Sequence, residues 1–210
     1  MVRPSRPLIA DPIADPPSPV SAWNIANALT VFRLLLVPVF IVVLFHDGGH
    51  LTSWRIWAWV VFALASITDR LDGEIARKRG LVTEFGKLAD PIADKALVGA
   101  ALIGLSALRD LPWWVTGVVL VREVGVTLLR FWVIRHGVIS ASRGGKVKTL
   151  LQGVAIGLFV LPLTNGLHDA AWVIMISAIA IALVTGGDYV ARAIRLRHSG
   201  RVARTGRIAT

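Results

Sequence analysis

Four aspartates stand at fixed spacing between two apolar runs: Asp69 and Asp72, then Asp90 and Asp94. On helical geometry Asp69, Asp72 and Ala76 lie three and four apart and share one face, with Gly73 and Arg77 beside them. Gly86, Asp90 and Asp94 recur at i, i+4, i+8 and make a second stripe on the next helix. Two facing helices with such stripes hold four carboxylates in one small space. Four negative charges at that distance repel strongly unless cations sit between them. Two divalent ions bring the formal charge to zero, and an all-oxygen shell suits Mg²⁺ or Mn²⁺ rather than zinc. Each part has a plainer reading on its own. Asp90-Pro91 can be a helix N-cap, and Arg77-Lys78-Arg79 an ordinary positive-inside anchor. Neither explains the joint spacing.

The elements that must carry these residues are apolar helices. Of 210 residues, one domain's worth, 55% are hydrophobic. The mean hydropathy is +0.66, which a soluble core does not account for. The net charge of +10 could point to nucleic acid. The basic residues instead gather at the ends of apolar runs, a membrane pattern, so no nucleic-acid partner is expected. The chain has no cysteine, which excludes disulfides and thiolate metal sites. The apolar run from Ala26 is too long and too late for a cleavable signal peptide and reads as a first span.

The expected architecture is all-α, a polytopic membrane protein of six transmembrane helices with a cytoplasm-facing active-site cavity. Residues 1–20 are Pro-rich and read as a disordered tail, residues 21–194 as the membrane domain, and residues 195–210 as a basic, disordered cytoplasmic tail that can lie on anionic lipid. The first span covers about Ala26 to Phe45, with Pro38 as a kink. The apolar parts of the second (Trp54–Ile67) and third (Ala96–Leu108) are only about 18–20 Å long at 1.5 Å per residue, short of the roughly 30 Å hydrocarbon core. They span only if their aspartate-bearing ends also lie within the membrane. Ionisable groups at that depth must line a wet cavity or a site.

The fourth span, Pro112 to about Arg135, holds Arg122, Glu123 and Arg130. Glu123 and Arg130 share a face and read as an ion pair. A polar, basic connection over Ser140–Lys148 contains a turn at Gly144-Gly145-Lys146. The fifth span follows from Thr149 to Leu163, and the sixth from Ala170 to Arg192. Six spans put both termini on one side, with the Arg77–Arg79 cluster and the basic connection. The opposite loops, His46–Ser53, Arg109–Asp110 and Asn165–Asp169, hold one Lys or Arg among them. Charge therefore places motif and termini in the cytoplasm of a multi-pass protein of the cell (inner) membrane.

Read as D-x2-D-G-x2-A-R-x8-G-x3-D-x3-D, the aspartate stretch matches eight fixed residues over 26 positions and resembles the signature of the CDP-alcohol phosphotransferases. The resemblance implies that Asp69, Asp72, Asp90 and Asp94 hold two Mg²⁺ ions, with Mn²⁺ an alternative, and that Asp94 also takes the proton of the acceptor hydroxyl. Gly73, Ala76 and Gly86 would leave room for the CDP-linked donor, and Arg77 would meet its phosphates. Asp72 would lie against it too, with Asn27 and Thr30 from the first span. Residues 23–162 further resemble the phosphatidylglycerophosphate synthase branch, through Asn24–Arg33, Val121–Arg130 and Gly145–Thr149.

That branch implies CDP-diacylglycerol as donor, glycerol 3-phosphate as acceptor, membrane lipid as surroundings and a homodimer. Arg122, Arg130, Lys146 and Lys148 are the candidates for the acceptor phosphate, which needs such cations. For Lys146 and Lys148, positive-inside anchoring is the plainer alternative. Another acceptor (inositol phosphate, inositol or phosphatidylglycerol) needs only a changed pocket. From a different class, a cation transporter also places carboxylates in a membrane. Against it, the carboxylates cluster at one face, with no acidic set on the outer half.

Overall fold

The structure is a computed structural model that describes residues 25–79, 84–133, 143–164 and 166–206; within these it leaves undescribed the side chains of 25–26, 70–79, 84–88, 90–91, 130–133, 143–144, 146 and 195–206. Among the described residues there are six α-helices and no strand: α1 (Ile25–Phe45), α2 (Thr52–Arg79), α3 (Glu84–Ala107), α4 (Trp113–Val133), α5 (Arg143–Val160) and α6 (Gly166–Gly206). One short 3-10 turn, His46–Gly49, joins α1 to α2. The Pro-rich residues 1–20 lie outside the described residues.

The turns after α1, α3 and α5 meet at one end of the bundle, where Gly49 lies against Leu108 and Arg55 reaches Asp110 and the Val160 carbonyl. α3 is central and packs on α1, α2, α4 and α5, while α6 closes the bundle against α4 and α5. The core is built from Phe40 and Leu44 of α1, Phe62 of α2, Leu102 and Leu105 of α3, Val115 of α4, Ile156 of α5 and Met175 of α6. Small residues bring axes together: a Cβ on Gly104 would lie 2.7 Å from Leu44, so α1 crosses α3 closely there.

The outer faces are apolar too. Val42, Val121 and Val184 are about 70% exposed (68%, 73% and 73%), among many other exposed aliphatic and aromatic side chains. Water would not tolerate so continuous an apolar surface, whereas lipid does. Two segments, Asn27–Gly49 and Gly166–Ile194, are long and apolar enough to cross a bilayer by themselves; Val147–Val160 is a shorter apolar helix. α2 does not stop where its apolar run ends at Ile67 but continues to Arg79, and α3 is already helical ten residues before Asp94. The aspartate motif therefore lies on two uninterrupted helices.

Three boundaries differ from the sequence reading. α5 starts at Arg143, so Gly144, Gly145 and Lys146 form its first turn rather than a flexible connection. Each glycine costs a helix about 1 kcal/mol, which packing of the following turns on α2, α3 and α6 outweighs. α6 continues through the segment expected as a disordered tail as far as Gly206. Asp90 stands inside α3, more than a turn past its start, so it is not an N-cap.

Candidate active site

The first polar group of the site comes from α1, within an otherwise apolar stretch. Asn27, Thr30 and Arg33, at i, i+3 and i+6, are all buried on the inner face. A fully buried guanidinium must be matched by an anion. Arg33 Nη1 meets Asp69 Oδ1 of α2 at 2.6 Å, the first aspartate of the motif. Arg33 was not singled out from the sequence as a site residue. The signal was there, since a lone Arg inside a span is costly without a partner.

Across from Asp69, Asp94 projects from α3 into a half-buried position. The charges of Asp69, Arg33, Lys95 and Glu123 all act on it. Asp69 of α2 and Asp94 of α3 are thus near enough for their negative charges to act on one another. Asp72, Gly73, Ala76, Arg77, Gly86 and Asp90 lie on the helical backbones of α2 and α3, but their side chains are outside the described residues. Among the described residues no three metal-ligating side chains form a cluster. The chemistry of the pair that is described, hard carboxylate oxygens held in mutual repulsion, fits a divalent cation.

On the other side of Asp94 is a cavity of about 110 Å³, lined in part by Asp94, Lys95, Glu123, Lys148, Thr149 and Gln152. At roughly 10–15 Å³ per water position, it has room for several waters or a small anionic group. Of the four cations expected to form an acceptor pocket, Lys148 lines this cavity and is buried. Arg122 is adjacent but turned toward α6, where Nε donates to the Ala182 carbonyl at 3.0 Å and Nη2 to Thr185 Oγ1 at 3.0 Å. The side chains of Arg130 and Lys146 lie outside the described residues.

The expected partner of Glu123, Arg130, has its side chain outside the described residues, and three described cations meet Glu123. Its carboxylate forms a close ion pair with Lys148, with Arg122 at 3.1 Å and Lys95 at 3.5 Å. Lys95 had drawn no attention in the sequence because it follows Asp94 directly.

Far from this site, Arg55 near the start of α2 ties the opposite end together. Its Nε donates to the Val160 carbonyl at 2.8 Å, its Nη2 to that of Phe159 at 2.7 Å, and its Nη1 pairs with Asp110 at 2.5 Å. These contacts satisfy the last carbonyls of α5 and clamp the α3–α4 turn. The role is structural.

Comparison with known proteins places the chain in a family. The family model described as CDP-alcohol phosphatidyltransferase matches residues 23–184. The chain is 62% identical over 172 residues to a probable phosphatidylglycerophosphate synthase of Mycobacterium tuberculosis, covering 82% of each chain. It is 38% identical over 149 residues to the CDP-diacylglycerol–glycerol-3-phosphate 3-phosphatidyltransferase of Bacillus subtilis, covering 66% of this chain and 77% of that one. With the protein of the same name from Escherichia coli it shares 36% over 141 residues, covering 64% and 75%. The apolar helices and this match together point to an integral membrane protein, and the chain belongs to the CDP-alcohol phosphatidyltransferase family.

Proposed function

We propose that this protein transfers the phosphatidyl group of CDP-diacylglycerol to glycerol 3-phosphate, giving phosphatidylglycerol phosphate and CMP. One observation supports this reading above the others. Asp94, a motif carboxylate, faces a small cavity whose other charged walls are Lys95, Lys148 and Glu123. A base and a set of cations around one space suit an acceptor that carries both a hydroxyl and a phosphate. The names of the relatives in Bacillus subtilis and Escherichia coli specify that acceptor for those proteins.

In the reaction, the acceptor oxygen bonds to the phosphorus that carries the diacylglycerol, and the bond from that phosphorus to CMP breaks. Asp94 takes the hydroxyl proton, which requires it to be ionised and within hydrogen-bond reach of the acceptor. Lys148, with Arg122, Arg130 and Lys146 nearby in sequence or space, meets the acceptor phosphate. Asn27 and Thr30 on α1 line the donor side, and Gly73, Ala76 and Gly86 leave it room. Arg77 meets the donor phosphates.

Asp69, Asp72, Asp90 and Asp94 would hold two Mg²⁺ ions, for which Mn²⁺ can substitute. When bound, such ions neutralise the pyrophosphate and make CMP a better leaving group. The same reading has six spans, a site open to the cytoplasm, both termini on that side of the inner membrane, and a homodimer that cross-linking in membranes would detect.

The test is an acceptor panel with purified protein, CDP-diacylglycerol and Mg²⁺. Glycerol 3-phosphate should release CMP fastest. Faster release with inositol 1-phosphate, inositol or phosphatidylglycerol would keep the chemistry and overturn the product.

A further inference from the structure

We propose that Glu123 is a positioning residue for the acceptor: it holds Lys148 and Lys95 on the cavity wall beside Asp94, so that both ammonium groups are preset for an acceptor phosphate. This rests on the acceptor reading above and adds two residues to it.

The geometry carries the proposal. Glu123 on α4 is reached from three helices, by Lys148 of α5 in a close ion pair, by Lys95 of α3 at 3.5 Å and by Arg122 of α4 at 3.1 Å. Arg122 is anchored in turn to the Ala182 carbonyl and Thr185 Oγ1 of α6. The carboxylate is thus fixed by a guanidinium that does not line the cavity, while its two lysine partners do. A cluster serving stability alone is best with balanced charge. Among the described residues three cations meet this one carboxylate, and the two that line the cavity share it with Asp94. Lysine is a flexible point charge, and a fixed carboxylate removes the freedom that binding would otherwise have to remove. Glu123 itself would repel phosphate. Its action is therefore through the lysines.

The measurement is initial-rate kinetics of the purified full-length protein, with CDP-diacylglycerol and glycerol 3-phosphate each varied at saturating levels of the other. Glu123→Gln keeps the shape and removes the charge. It should raise the acceptor KM about tenfold, the lower range for losing an orienting partner, and leave the donor KM within about twofold. Glu123→Asp, which keeps the charge, should recover part of the loss and serves if the Gln variant does not fold. Lys148→Met and Lys95→Met should each raise the acceptor KM selectively. The double variant Glu123→Gln/Lys148→Met should lose less than the product of the two single effects, because only the part of the Glu123 action that runs through Lys95 remains. Additive losses, equal losses for both substrates, or an unchanged acceptor KM in Glu123→Gln while Lys148→Met raises it would each overturn the positioning role and leave the acceptor reading standing. Unchanged acceptor KM in both lysine variants would overturn the acceptor reading itself, and this proposal with it.

Discussion

Asp94 and Asp69 are both motif carboxylates, yet their surroundings give them different sensitivities. Asp94 faces the cavity, where a substrate hydroxyl can reach it. Replacing it by Asn should lower turnover by about two orders of magnitude or more, the usual loss for a general base, while CDP-diacylglycerol still binds. Near-normal turnover would place the proton transfer elsewhere. Asp69 is the ion-pair partner of a fully buried guanidinium, whereas the carboxylate itself is 36% exposed. Removing the carboxylate leaves the buried cation without this partner, at about 3–5 kcal/mol. Removing the cation leaves an anion that water reaches. Thermal unfolding in detergent should therefore show Asp69→Ala as less stable than Arg33→Met, and the reverse order would contradict the pairing. The aspartates were legible because their spacing repeats with the helix. Glu123 was read against Arg130, whose side chain lies outside the described residues, and spacing along one helix says nothing about the lysines that α3 and α5 bring to it. That pairing is tertiary.

At the scale of elements, six apolar periodic runs were enough to locate six helices, and the short apolar lengths of α2 and α3 correctly implied that helix continues through the aspartates. What the runs did not show was where polar helix begins and ends. Gly144-Gly145 reads as a turn from local chemistry, yet the segment is helical from Arg143. The opposite end of the bundle depends on two features that have no periodic signature. Gly49 has φ of +77°, and a Cβ there would come within 2.6 Å of Leu108 and 3.0 Å of the Leu44 carbonyl. Gly49→Ala should lower stability by more than about 1 kcal/mol, since both backbone and neighbours resist it. Arg55 holds two carbonyls of α5 together with Asp110. Arg55→Met should cost at least about 2 kcal/mol of stability with the acceptor KM unchanged, because its contacts are charge-assisted and distant from the cavity. A selective change in acceptor KM would contradict the structural role assigned to it.

For the whole molecule, charge and direction make one consistent picture. By sequence the basic stretches belong to the helix ends near the aspartate motif, and the buried Arg55 at the other end is matched by Asp110 and carbonyls. Trp57, Trp113 and Trp114 stand exposed near that other end, as interfacial aromatics do. Reporters fused to either terminus should therefore read cytoplasmic, and one inserted at Asp47 should read external; an external C-terminus would contradict six spans.

The central claim is that this bundle joins CDP-diacylglycerol to glycerol 3-phosphate with carboxylate-held divalent ions, and one assay addresses it directly. Purified protein is given both substrates, and CMP and phosphatidylglycerol phosphate are counted in chelator and again after Mg²⁺ is restored. The account predicts no turnover in chelator, then equal amounts of the two products with Mg²⁺, both dependent on glycerol 3-phosphate. Turnover in the metal-free state, or CMP released without a matching lipid product, would contradict it.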